Sequence, residues 1–109
     1  MIMPTTEIIL PVSQWTVTLA KRITYGEDIR INQALMSGVK TNFEGKAPQF
    51  SGEAIARWER EKILVIVKKI NDGKTNIPVT NEVIDSLDRI DGQFLANEVN
   101  KILTEEKKS

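Results

Sequence analysis

Between Trp15 and Glu27 the spacing of apolar residues changes from strand-like to helix-like, and this switch constrains the fold more than any other stretch. Trp15, Val17 and Leu19 alternate with Thr16, Thr18 and Ala20, the pattern of a half-buried strand. Thr24 and Glu27 then stand three apart, as a capping box requires. In that motif the threonine hydroxyl accepts from the N3 amide and the carboxylate accepts from the threonine amide. Glu7 to Leu10 reads as a second strand, joined to the first around Pro11-Val-Ser-Gln14. A lone hairpin over 7–21 is marginal in water, so its apolar face must lie on helices. The capped helix covers 24–37, places Ile29, Ala34, Leu35 and Met36 near one side, and stops at Gly38.

Residues 38–50 mix Gly, Pro, Asn and charge around the single Phe43 and read as a loop or arm. Ser51 suits an N-cap, with Phe50 and Ile55 spaced as a hydrophobic staple across it. A central helix is expected over 51–70, because Ile63, Ile66, Val67 and Ile70 fit i, i+3, i+4, i+7 and nothing punctuates Arg60 to Val65. The competing reading is a strand from Ile63 to Ile70 that turns at Asn71-Asp-Gly-Lys74. Val79, Thr80 and Ile84 have staple spacing before a short helix from Asn81 to Leu87. Ile90, Asp91 and Leu95 repeat it, with Asp91 as N-cap of a last helix from Gly92 to about Glu105. The C-terminal helices thus occupy 80–105, and Leu95, Val99, Ile102 and Leu103 form an amphipathic stripe. The expectation is a single domain over 1–109, mostly α with an N-terminal β-hairpin (α+β), with about four helices around one small core.

Composition narrows the function. Cysteine and histidine are both absent, which removes thiolate and imidazole chemistry: zinc sites, cysteine nucleophiles and histidine-based triads. Fifteen basic and fifteen acidic residues cancel, so no net field steers the chain to nucleic acid or an anionic membrane. The longest apolar run, Ile63-Leu-Val-Ile-Val67, is too short to span a bilayer, and Met1 to Glu7 lacks signal-peptide character. A soluble intracellular protein is expected. Glu82, Asp85, Asp88 and Asp91 recur every third residue but do not match an EF-hand; capping and first-turn roles account for Asp91 and Glu82. No phosphate loop occurs, and no acid–base pair is placed by local spacing. No catalytic, cofactor or metal residue is assigned, and the chain is expected not to be an enzyme. Tyr25 and Trp58 are the aromatics best suited to partner contact, the alternative being core positions.

The order of pieces resembles a known family. Ile23-Thr-Tyr-Gly-Glu27 after a Val/Thr-rich strand is similar to the "LTYGE" region of small tail assembly proteins from long-tailed, siphovirus-like bacteriophages. Asn76-Ile-Pro-Val-Thr-Asn-Glu-Val-Ile-Asp-Ser-Leu87 resembles that group's G-x-P-[IL]-P-[VF]-T-x-E-N-[IL]-x-x-L element, and Asp91-Gly-Gln-Phe-Leu95 its final helix start. The likeness runs from about Trp15 to Ile102 and departs from the pattern at Asn76-Ile77 and over Thr41 to Gln49. The resemblance implies a tail assembly chaperone of the host cytoplasm, without cofactor. Such a protein binds the tape measure protein and helps recruit major tail protein as the tube polymerises. The competing class is a structural virion component, a tail-completion or head–tail connector protein. Under the chaperone reading, Tyr25, Ile29 and Phe43 form a client-facing edge. Trp58 and the stripe Leu95, Val99, Ile102 then serve packing or self-association into a homo-oligomer.

Overall fold

The computed structural model describes residues 4–36, 39–40, 49–50 and 52–108, excluding the side chains of 39–40, 49–50 and 106–108. Strands β1 (Thr5–Ile9) and β2 (Thr16–Ala20) form the expected hairpin, and helix α1 (Tyr25–Met36) follows. A short ladder, β3 (Val39–Lys40) with β4 (Gln49–Phe50), precedes helix α2 (Gly52–Ile66). The chain then passes without a loop into β5 (Val67–Asn71), turns to β6 (Asn76–Ile77), and ends in α3 (Asn81–Ser86) and α4 (Arg89–Lys108). The architecture is α+β, with four helices among the described residues. The hairpin is half of an antiparallel sheet ordered β1-β2-β5-β6. No helix among the described residues is long and apolar enough to cross a membrane.

The expected central helix over 51–70 ends early. It stops at Ile66, and neither a helix to Ile70 nor a strand from Ile63 describes the segment. The cause is a bulge. Thr18 pairs with Lys69 but Leu19 pairs with Val67, so Lys68 is the extra residue on β5. The bulge resets the strand's parity, and Val67 and Ile70, three apart, both reach the core while Lys68 and Lys69 face outward. Three-residue spacing, the helical signature in sequence, is here made by an irregular strand. Of the helix's buried residues, Ile63 and Ile66 join the same cluster as Val17, Leu19, Leu95 and Val99.

The last helix also begins elsewhere than expected. Asp88, not Asp91, caps it: the Ile90 amide donates to Asp88 Oδ1 at 2.9 Å, and Gly92 N–H donates to the Asp88 carbonyl at 2.8 Å. Ile90 therefore lies in the first turn and is exposed rather than stapled to Leu95. Asp91 is fully buried and turns to the β1–β2 connection, accepting from Val12 N–H at 2.7 Å and Ser13 N–H at 3.0 Å. That connection needs a clamp. Gln14 has a left-handed backbone (φ 63°), and its amide closes the turn on the Leu10 carbonyl at 3.0 Å. Burial raises the Asp91 pKa, but the Val12 and Ser13 amides outweigh it and hold the carboxyl below its ordinary range.

Caps set by local sequence stand as read. Thr24 N–H donates to Glu27 Oε1 at 2.9 Å and Glu27 N–H donates to Thr24 Oγ1 at 3.1 Å, a reciprocal capping box. Thr80 Oγ1 accepts from Val83 N–H at 3.2 Å at the start of α3. Ser51 lies outside the described residues, and so does the Phe50 side chain that would form half of the staple; Ile55 is exposed.

Two outcomes are expected. Asp91→Asn places an amide donor against a backbone donor and lowers the thermal midpoint by several degrees at neutral pH. A carboxyl whose pKa is depressed on folding stabilises the fold above its unfolded value and loses that effect as pH falls through the folded value. The gap between variant and parent should therefore close below about pH 4; a gap independent of pH contradicts the assignment. In the β5–β6 turn Gly73 has φ 98°, with open space where a side-chain methyl would sit, so the obstacle to a side chain is conformational alone. Gly73→Ala should cost about 1–2 kcal/mol in urea unfolding, and a neutral result contradicts that turn.

Candidate functional site

The capping box does more than start α1; it sets the helix's rotation. Glu27 Oε2 also accepts from Lys68 Nζ at 2.9 Å, so the bulge residue of β5 holds the first turn of α1 against the sheet. Burial raises the Glu27 pKa, and the Thr24 amide and Lys68 ammonium reverse this, leaving it lowered. With Glu27 inward, residues one and two turns on follow: Ile31 is buried, and Ala34 and Leu35 are half-buried. Ile29 and Met36 therefore do not share the inner face with Ala34 and Leu35, as the sequence suggested; both are exposed.

The outer face of α1 is the candidate contact surface. Tyr25 is 82% exposed, Met36 58% and Ile29 38%, and the three fall within one narrow stripe of the helix. Exposed apolar residues scattered singly need no explanation, whereas an apolar stripe along one helix is the kind of face that helical recognition uses. Arg30, beside it, is ion-paired to Glu61 of α2, which fixes the two helices against each other. Phe43, the third residue of the expected client-facing edge, lies outside the described residues. Sequence reasoning misses Met36 as a contact residue. It stands eleven residues from Tyr25, three helical turns, and that spacing is the available signal.

Trp58 sits apart from the stripe, on the other flank of α1. It is half-buried in α2, with Lys62 Nζ 3.3 Å from the ring centroid. Lys62 is buried and donates to Glu59 Oε1 at 3.0 Å and Asn100 Oδ1 at 3.2 Å, tying α2 to α4. Asp28, Asn32, Trp58, Lys62 and Asn100 line a cleft of about 210 Å³ where α1, α2 and α4 meet. Asn32 borders both the cleft and the stripe, so the two surfaces adjoin without merging. Leu95 and Val99, expected at a packing or self-association stripe, are buried in the chain's own core, with Ile102 packed against them.

The regularly spaced acids divide among structural tasks. Asp85 pairs with Arg60, Asp88 caps α4 and Asp91 clamps the hairpin. Searches of family profiles, curated proteins and solved structures found no match to this chain.

Removing the Lys62 side chain strips the ring of its cation and leaves Glu59 and Asn100 without it. Lys62→Ala should destabilise by about 1–2 kcal/mol in urea titration. Lys62→Met, which keeps the apolar stem over Trp58, should cost less. A Lys62→Met variant as stable as the parent would show that the charge plays no part.

Proposed function

We propose that the protein is a tail assembly chaperone of a long-tailed bacteriophage, acting in the host cytoplasm without enzymatic activity. On this reading it binds the tape measure protein and assists tail tube polymerisation with major tail protein. The reading rests on the sequence resemblance from Trp15 to Ile102, and the observation that carries it into the fold is the apolar stripe of α1. A helical client lays an apolar face against an apolar face, read at i, i+4 and successive turns. Tyr25, Ile29 and Met36 offer that spacing on a helix fixed by Glu27–Lys68 and Arg30–Glu61. The balanced charge of the chain suits a client held by apolar contact rather than by a field.

Because Tyr25 and Ile29 are exposed, their replacement by alanine should change stability by no more than about 0.5 kcal/mol. Co-expression of the double variant with a candidate tape measure protein should then recover much less complex than the parent, with far-UV circular dichroism unchanged. Undiminished co-purification would remove α1 as the client surface. Mass spectrometry of purified particles separates the two classes: many copies per virion would identify a structural component instead.

A further inference from the structure

The sheet has two edges, and they differ. β6 is two residues long and is followed directly by Pro78, a blunted edge. β1 is five residues long and lies at the opposite edge. The direction of its backbone groups follows from the register. Leu10 N–H donates to the Trp15 carbonyl at 2.9 Å, and Lys21 N–H donates to the Pro4 carbonyl at 2.9 Å. Both belong to the unbroken register in which Ile8 faces Val17 and Thr6 faces Leu19. Hydrogen-bonded pairs alternate in an antiparallel ladder, so the even-numbered residues bond to β2. The N–H and C=O groups of Thr5, Glu7 and Ile9 consequently point away from the sheet, three donors and three acceptors along one line.

Side chains alternate on the same strand. Thr5, Glu7 and Ile9 are exposed, while Thr6 and Ile8 are half-buried toward α4. Beside β1, Thr6, Ile8, Lys101, Ile102 and Glu105 line a groove of about 380 Å³ between the strand and α4. A strand added at about 4.8 Å from β1 would direct every second side chain over this groove. Its partly apolar floor, Ile8 and Ile102, suits an apolar residue there. On the opposite face the central residue of β1 is Glu7, the only charge in the strand.

Glu7 also discriminates among occupants. In the antiparallel self-pairing that matches all three outward residues, Thr5 faces Ile9 of the second copy and Glu7 faces Glu7. Like charges directly opposite one another destabilise a ladder. A segment carrying lysine or arginine at that position turns the same site into a favourable cross-strand pair.

We propose that the outer edge of β1 is a docking site for an extended segment of another protein, with a cationic residue opposite Glu7 and apolar residues over the Ile8–Ile102 groove. The proposal goes beyond the chaperone reading and does not depend on it. Main-chain hydrogen bonds to Thr5, Glu7 and Ile9 hold the segment, and Glu7 selects its charge. The test uses the full chain and the synthetic peptide acetyl-Lys-Val-Thr-Val-Lys-Val-Thr-amide, followed by amide chemical shifts. Millimolar peptide should shift the Thr5, Glu7 and Ile9 amides and the Ile102 methyls. Glu7→Pro removes an outward N–H without breaking a bond to β2, and should weaken binding about tenfold or more. Glu7→Lys should weaken it about fivefold, and replacing both peptide lysines with glutamate should restore binding to that variant. This charge exchange decides the matter if Glu7→Pro does not fold. No shifts at millimolar peptide, shifts confined to other elements, or unchanged affinity across the charge exchange would overturn the proposal. So would a dimer of the parent chain, seen by sedimentation, whose interface is β1.

Discussion

A single buried carboxylate joins the two ends of this chain. Asp91, in the first turn of α4, accepts from the amides of Val12 and Ser13, nearly eighty residues earlier in sequence. Its side chain is closed to solvent, and its charge is balanced by two backbone dipoles and by the start of its own helix. The geometry fixes three things together. The turn keeps Gln14 in its left-handed conformation, Leu10 is held fully buried beside the turn, and α4 is registered so that Leu95 and Val99 join Val17 and Leu19 in the core. The sheet and the C-terminal helix thus share an anchor that apolar burial, being non-directional, does not supply.

A second tie works at the other end of the sheet, away from the β1–β2 turn. The bulge at Lys68 aims its ammonium at Glu27, and Glu27 in turn completes the cap of α1. Each element there serves two levels of structure. The bulge brings Val67 and Ile70 to the core, and the residue it displaces fixes the face that α1 turns inward. The exposure of Tyr25, Ile29 and Met36 is the consequence, since the helix cannot bury both faces. Partly exposed ion pairs such as Glu27–Lys68 contribute little stability alone. Their effect here is orientation, and the apolar burial of Ile31 beneath α1 supplies the energy.

This division explains what is legible without coordinates. Thr24 with Glu27, and Thr80 with Val83, can be read because a cap is a contact between near neighbours. The α4 stripe can be read because one long helix keeps one period. The β5 segment cannot: a bulge converts strand spacing into helical spacing, and only pairing with Thr18 and Leu19 reveals it. Asp91 misleads for a related reason. An aspartate before Gly92 has the local look of a cap, and its true partners lie at the far end of the sequence. At the candidate site, Tyr25 is exposed, whereas Trp58 is engaged by Lys62 on a different flank. The helical period alone gives a stripe; which stripe faces inward depends on Lys68, a residue distant in sequence.

The faces left over after the two ties are made are an apolar helix stripe and a strand edge that is unpaired among the described residues, both carried on one frame. That frame depends first on Asp91, and native-state hydrogen exchange at its two donors tests it most directly. If the carboxylate clamps the turn, the amides of Val12 and Ser13 exchange as slowly as that of Leu19 in the paired centre of the sheet, despite the exposed side chain of Val12. Exchange of the two amides at the rate of an open surface turn, with Leu19 still protected, would contradict it.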